Sequence, residues 1–354
     1  MEVLVLSACF ATSIAHVPVQ QFSSPEGPLQ SVVYLTLPGS EDVIVVGGRN
    51  ALYKLSAQNL SGLATFVTGP EDDNPQCRPL PEFCSYGRTK ADNDNRILLQ
   101  LPSPRLLACG TTSQGICSIH DARDNLAVAE PMYKNSTVNY VASRLSTVAF
   151  FGTGTNQNVL FVASTYDDRP PEYHPYAVSA RVLDEPGTFK VGSAFVNVMD
   201  KYKKIKIRYV HGFSHKGFAY FVAVQKKLQA PMPPETRLAR VCESDTTFRT
   251  YTEILITCAN DGKQEYANAT SAAYGPHAAG GVSDGSVLLV AFAPNNRNQG
   301  KVPVPSSHFA SSTWIASRKS SSRPLRIATT ASKRQPAGRP FSTATRPTLL
   351  VKFT

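Results

Sequence analysis

Four of the seven cysteines stand in one stretch, residues 68 to 120, as two close pairs. Cys77 and Cys84 flank a proline-rich loop. Cys109 and Cys117 flank a Gly-bounded turn at 110–115, with β-type runs on either side at 97–101 and 106–109. Such short separations suit two local disulfides, each closing a small surface loop. They do not suit zinc, whose paired cysteines stand roughly two to four residues apart with further ligands nearby. The alternative is four buried free thiols, which pack as small hydrophobes.

The rest of the chain repeats the pattern seen around these cysteines. Runs 43–46 and 51–55, either side of a Gly-Gly turn, read as a hairpin. Further candidate strands cover 97–101, 106–110, 116–120, 146–152, 159–165, 177–183, 203–211, 217–225, 237–243, 251–258 and 286–293, with turns rich in Gly, Pro, Asn and Asp between them. No long amphipathic helix is legible, and 271–280 holds at most a helical turn. Many short strands with regular turn signals predict an all-β sandwich, barrel or propeller. Counted from Val32 there are about fourteen strands, which at four per blade makes about three and a half blades.

Charge is unevenly placed. The formal net charge is +10, but the last acidic residue is Asp284. The first 284 residues carry 25 Lys and Arg against 26 Asp and Glu, a net of −1. The basic character belongs to the C-terminal end, so no nucleic-acid-binding domain is read from it. Residues 307–354 have no acidic residue and nine Lys or Arg among many Ser, Thr, Pro and Ala. Such a segment buries too little to fold. A polyanion contact by this basic tail is one reading. The composition favours the other, an unstructured terminus without a selected role.

At the N-terminus, 3–10 is a short apolar core, and Ser13 and Ala15 are small residues at the cleavage-determining positions. Residues 1–15 are therefore expected to be a cleaved signal peptide. Glu2 and the lack of a preceding Lys or Arg are atypical, and a buried first strand is the alternative. Export permits disulfides and removes Cys9. Three sequons agree with it, at Asn59, Asn135 and Asn268. No apolar run reaches the ~18 residues of a membrane span. The chain as given is expected to be extracellular or secreted.

Several motifs, in order, resemble the sema domain of plexins. Thr68-Gly-Pro70, Asp73-Asn74, Cys77-x-Pro79 and Cys84 are similar to one plexin segment; Asn95-x-Ile97-Leu-Leu99, Leu106-x-Ala-Cys109-Gly110 and Gln114-Gly115-x-Cys117 are similar to the next. Gly212-Phe213, Gly217-Phe-Ala-Tyr-Phe221 and Gln225 continue the likeness, as do Arg240-Val-Cys242, Asp245, Tyr251-Thr-Glu253 and Cys258. Coverage runs from about Val32 to Ser306, and the neighbourhood 140–148 leans toward the B-type. The resemblance implies a seven-bladed propeller of about twice this length. The expected fold is thus a partial sema-type β-propeller, about three to four of seven blades over 16–306.

The resemblance also implies Cys77–Cys84 and Cys109–Cys117 bonds. It pairs the cysteines matching Cys242 and Cys258 with others farther along, so both are expected here without partners; a forced Cys242–Cys258 bond is the alternative. Its N-terminal strand closes the last blade, which leaves 32–37 without that role here and the open half-ring with unpaired edges. The function implied is a semaphorin-binding module of a plexin-like cell-surface receptor, in axon guidance and cell migration, with no catalysis, cofactor or metal of its own. The membrane span and the cytoplasmic region that acts on small GTPases are not encoded. The alternatives are a secreted semaphorin-like ligand or decoy, and a secreted propeller enzyme.

Motifs that carry chemistry are few. His211 and His215 have the spacing of a helical zinc pair, but their flanks are β-rich. The Gly-rich run 151–157 lacks a third glycine and a following helix, so a hairpin turn is the better reading. Asp167, Asp168, Glu71, Asp72 and Asp73 read as solvated loop carboxylates, with calcium as the alternative. In 203–209, Lys204, Lys206 and Arg208 share one face of a strand and Ile205, Ile207 and Tyr209 the other. The basic strip is a candidate contact for an acidic partner; the plainer reading is a strand whose lysines discourage edge pairing.

Overall fold

The β-type runs of the sequence fold into antiparallel meanders in a computed structural model. It describes residues 21–102, 104–152, 159–174, 176–185, 187–191, 206–226, 234–245, 247–259, 265–276, 286–293 and 348–353. The expected signal peptide, 1–15, and the 307–347 part of the tail lie outside the described residues. The chain divides into two units, Met1–Phe151 with Asn156–Val196, and Gly152–Thr155 with Asn197–Thr354.

The first unit holds three four-stranded sheets. The first is β1 (Ser31–Leu35), β2 (Val43–Gly47), β3 (Ala51–Ser56) and β4 (Gly62–Val67). A two-stranded excursion follows, β5 (Glu71–Asp73) and β6 (Thr89–Ala91). The second sheet is β7 (Ile97–Gln100), β8 (Arg105–Cys109), β9 (Cys117–Asp121) and β10 (Ala127–Pro131); the third is β11 (Thr147–Phe151), β12 (Val159–Ser164), β13 (Val178–Glu185) and β14 (Thr188–Val191). In the second unit β15 (Lys206–His215), β16 (Phe218–Lys226), β17 (Glu235–Cys242) and β18 (Thr252–Ile256) form a fourth such sheet. A short pair, β19 (Cys258–Ala259) and β20 (Glu265–Tyr266), precedes a three-stranded sheet of β21 (Asn268–Pro276), β22 (Ser286–Ala293) and β23 (Thr348–Phe353).

Each four-stranded sheet joins its strands in sequence order, the construction of a propeller blade. Turn chemistry makes this local. Lys216 and Gly217 both have positive φ, 48° and 77°, and connect β15 to β16 as a two-residue hairpin of primed type. Packing then follows the two-residue period of the strands. On β8, Leu106 and Ala108 enter the cluster with Val43, Val45 and Leu52 of the first sheet. Their neighbours Leu107 and Cys109 enter the cluster with Leu160 and Val162 of the third. The second sheet is therefore covered on both faces, and each fully buried Leu contributes roughly 1.5–3 kcal/mol. In the second unit Val222, Val224, Leu238, Leu288 and Val290 build the core.

Three expectations change. The stretch 271–280 carries no helical turn where described; β21 runs through Pro276, paired to β22 residue by residue from Ser271↔Ala291 to Pro276↔Ser286. Its alanines read as helix formers, and cross-strand pairing overrides that propensity. The strand expected to be left without its blade, at 32–37, instead opens the first sheet, pairing with β2 from Ser31↔Gly47 to Leu35↔Val43. Within the segment expected to be unstructured, Thr348–Phe353 pairs with β22. Strands β4, β10 and β14, each the last strand of its sheet, were not among the legible runs.

Candidate functional site

The cysteine-rich stretch is the best-anchored surface of the first unit. Cys109 and Cys117 are register partners on β8 and β9 and are bonded. Cys77 and Cys84 are bonded and close the loop between β5 and β6. Gln114, with φ of 63°, turns its side chain into that loop. Its Nε2 donates to the carbonyls of Pro75, at 2.9 Å, and Cys77, at 2.6 Å. Asn74 Nδ2 donates to Gly87 O at 2.7 Å across the loop neck. The excursion is thus held at its base, while Phe83 and Tyr86 stand 56% and 63% exposed. The Arg78 guanidinium lies 5.9 Å from the Phe83 ring centre. Aromatic and Arg side chains on a pre-ordered loop are the composition of a protein contact.

Asparagines join the first sheet to the second. Asn93 Oδ1 accepts from the Thr111 and Thr112 N–H groups at 2.8 and 3.3 Å, and its Nδ2 donates to Thr68 O at 3.0 Å. Asn50 Oδ1 accepts from Asn93 N at 2.7 Å. Asn95 Nδ2 donates to the Gly48 and Ala51 carbonyls at 2.9 and 3.1 Å. A Cβ at Gly110 would lie 1.9 Å from Asn93 Oδ1, so this joint requires glycine there.

A buried ion pair joins the second sheet to the third. Arg169 is wholly buried; its Nε and Nη2 donate to Asp167 at 2.9 and 2.8 Å. Nη1 donates to Gln114 O at 2.7 Å and Nη2 to Ala142 O at 3.1 Å. Burial by itself pushes the Asp167 carboxyl up, but the Arg169 guanidinium and the Arg144 N–H outweigh it and hold it at about 2. Arg181, also fully buried, donates to Ser179 Oγ at 3.0 Å, Tyr140 O at 3.2 Å and Val138 O. The Tyr176 and Phe189 rings flank it. Burial lowers its pKa to about 10. Asp167, expected as a solvated carboxylate or calcium ligand, is therefore a structural anion. The isolated Asn93-x-Asn95 and Asp167-x-Arg169 spacings were the only sequence signals of these joints.

The other sequence-derived candidates are dispersed. Asp73 pairs with Arg144 at 3.4 Å and Asp72 with Lys90 at 3.2 Å. The Glu71 carboxylate accepts from Thr112 Oγ1 at 3.1 Å. An open depression of about 280 Å³ is lined by Ala91, Asp92, Asp94, Thr111, Thr112 and Arg144. Arg49 reaches both Asp92, at 3.7 Å, and Asp94, at 3.1 Å. Among the described residues no group of three or more His, Cys, Asp or Glu is arranged to hold a metal ion.

His211 and His215 lie on strand β15, which sets them about 13 Å apart along the chain. His211 stacks on Phe213, and His215 Nδ1 is 2.5 Å from the Tyr274 hydroxyl. Of the basic strip, Lys204 lies outside the described residues and Lys206 opens β15. Ile207 and Tyr209 are buried, and Arg208 is exposed. Arg208 Nη2 donates to Asn268 Oδ1 at 3.2 Å and to Ala269 O, so it is engaged within its own unit. Cys242 is a half-buried thiol beside Ser244 Oγ, at 3.2 Å, and it does not pair with the buried Cys258. Asn59 and Asn135 are exposed in turns, and Asn268 is half-buried at the start of β21. Among the described residues no helix is long and apolar enough to cross a membrane.

No family model matches the chain. It is 31% identical to human plexin-A4 over 263 residues, 66% of this chain and 14% of that protein. It is 28% identical to zebrafish plexin A3 over 314 residues, 77% of this chain and 16% of that protein. A structure of the plexin A4 full extracellular region, domains 1 to 8, superposes with a TM-score of 0.62 at 26% identity, over 76% of this chain and 32% of that one. The chain thus spans about one seventh of the length of the curated relatives it matches. These relatives carry A-type names, and the B-type leaning read at 140–148 is not supported. Tyr140, Val141 and Ala142 are buried, and the Val141 and Ala142 N–H groups both donate to Gly115 O.

Proposed function

We propose that this chain is plexin-type receptor ectodomain, the first blades of a sema propeller, and that its work is to bind a semaphorin outside the cell. The observation that carries this reading is the similarity to plexin-A4, in sequence and in fold; the two disulfides and the joints beside them are the frame it would present. The joints give a rigid platform, and rigidity lowers the ordering cost of association. The pinned loop with Phe83, Tyr86 and Arg78 and the basic strip around Arg208 are the surfaces through which contact is proposed. In the whole receptor such contact is relayed to a cytoplasmic region in signalling for axon guidance or cell migration.

The test is direct binding. The exported chain, with both disulfides verified by non-reducing peptide mapping, is titrated against immobilised semaphorin ectodomains, with surface plasmon resonance as the readout. Saturable binding to at least one semaphorin, abolished by prior unfolding, is expected. A disulfide-intact, β-rich sample that binds none of the panel refutes the reading.

A further inference from the structure

The three sequons occupy two kinds of place. Asn59 lies in the connection between β3 and β4, exposed, with Ser61 exposed beside it. Its Oδ1 accepts from Ser61 N at 2.9 Å, an Asx turn that leaves Nδ2 outward and brings the hydroxyl residue back toward it. Asn135 lies in the turn after β10, exposed, as is Thr137. Asn268 differs in every respect. It is half-buried in β21, opposite Ala293, and its Oδ1 takes the Arg208 guanidinium. Its backbone neighbours are held from both sides by one side chain: Thr236 Oγ1 donates to Ala267 O at 2.6 Å and accepts from Ala269 N at 2.9 Å. Thr270 Oγ1 donates to Ala291 O at 3.2 Å. Thr270 is skipped in the register with β22, at a bulge between Ala269 and Ser271, yet its hydroxyl is held on Ala291 O and Thr236 fixes the residues on either side of Asn268, so the segment cannot bend into the turn that sets an amide nitrogen beside a hydroxyl.

We infer that Asn59 and Asn135 are N-glycosylated and that Asn268 is not, its sequon being withdrawn into a sheet. The inference rests on the export reading. The donor is a lipid-linked oligosaccharyl pyrophosphate. The amide nitrogen attacks the anomeric carbon, the C1–N bond forms as the C1–O bond to phosphate breaks, the lipid pyrophosphate leaves, and one amide proton is lost to a base of the transferase. Modification competes with folding. The two turn sequons remain presentable after their sheets close, whereas 268–270 is closed off once β21 meets β17 and β22. The two glycans also mark the β3–β4 and β10–β11 connections as faces no partner covers.

The full chain is synthesised in a secreting mammalian cell, and each sequon is read by glycosidase release with mass detection of amide-to-acid conversion at the asparagine. Majority occupancy is expected at Asn59 and Asn135 and near-zero at Asn268; Asn59→Gln and Asn135→Gln together abolish the glycosidase mobility shift. Leu288→Asp, which places a charge at a wholly buried site of β22, prevents closure and is expected to raise Asn268 occupancy several-fold. Comparable occupancy of Asn268 and the other two in the unaltered chain overturns the inference, as do bare Asn59 and Asn135 in a chain that entered the secretory pathway. A chain that stays in the cytosol refutes export; a replaced leader then tests the same three occupancies independently.

Discussion

Replacing Arg169 with Met removes a guanidinium and leaves its carboxylate behind. In the folded chain Arg169 makes bonds to Asp167, Gln114 O and Ala142 O, and Asp167 is itself buried. Breaking one side of a buried pair costs about 3–5 kcal/mol; the Arg144 N–H and Ser143 Oγ still bond Asp167 after the change, which places the loss toward the lower end of that range. A second route gives a similar scale. The fall of the Asp167 pKa from 3.8 to about 2 corresponds to about 2.4 kcal/mol, at ~1.36 kcal/mol per unit. This is a depressed acid, so its contribution is complete above the unfolded value of 3.8 and is lost as pH falls toward about 2. Urea unfolding followed by far-UV circular dichroism reads both quantities. Arg169→Met is expected to lose about 2–4 kcal/mol at neutral pH and to flatten the acid limb of stability between roughly pH 4 and 2. The double variant with Asp167→Asn is expected to recover part of the loss, since no buried charge remains. A single variant within about 1 kcal/mol of the parent, with an unchanged acid limb, refutes the reasoning.

Three further perturbations follow from the joints. Gly115→Ala sets a Cβ 2.0 Å from Ala142 O at a φ of 83°, so it is expected to lower the thermal midpoint by several degrees, with a loss above about 1 kcal/mol. Asn93→Leu strips acceptors from the Thr111 and Thr112 N–H groups; a loss of about 1–3 kcal/mol is expected in urea unfolding, with faster amide exchange at those two residues. His120 is buried with Nδ1 donating to Leu126 O and Nε2 accepting from Ser118 Oγ, each at 2.7 Å, and burial lowers its pKa from 6.5. The neutral ring is the one that fits, so stability is expected to decline as pH drops below 6.5, and His120→Gln is expected to remove that slope in pH-dependent thermal melts.

The strands legible in the sequence were those with strong apolar alternation and glycine turns, such as β2, β3, β8 and β16. The cysteine pairs were legible because their separations are short. What stayed hidden depends on partners distant in the chain. Asn93 reads as one polar residue among Asp and Asn until Thr111 and Thr112 are brought to it, 18 and 19 residues away. Arg169 looks like a loop charge until Gln114 O meets it from 55 residues back. Arg208 is exposed on its strand while Ile207 and Tyr209 are buried, but nothing local announced that Asn268 would occupy it. Strands β4, β10 and β14 were missed although other edge strands, β1, β7, β11, β15 and β18, were legible; each of the three closes its sheet as the last strand in the chain, where one edge meets solvent and the alternation a buried strand must keep is relaxed.

Strands joined in sequence order have a consequence for synthesis. The first sheet is complete as a covalent segment by Val67, the second by Pro131 and the third by Val191. At roughly 5–20 residues per second, each meander has several seconds to close before the next is fully translated. Sheet formation can therefore keep pace with the ribosome, and longer-range contacts such as the Arg169 clasp to Gln114 and the Arg144–Asp73 pair wait for the later sheets. The first sheet has Leu52 and Val45 waiting for Leu106 and Ala108 of the second, so an apolar face stands open for the time it takes to make about 40 residues. That interval, rather than the finished fold, is when a chaperone has something to hold, and it recurs once per blade.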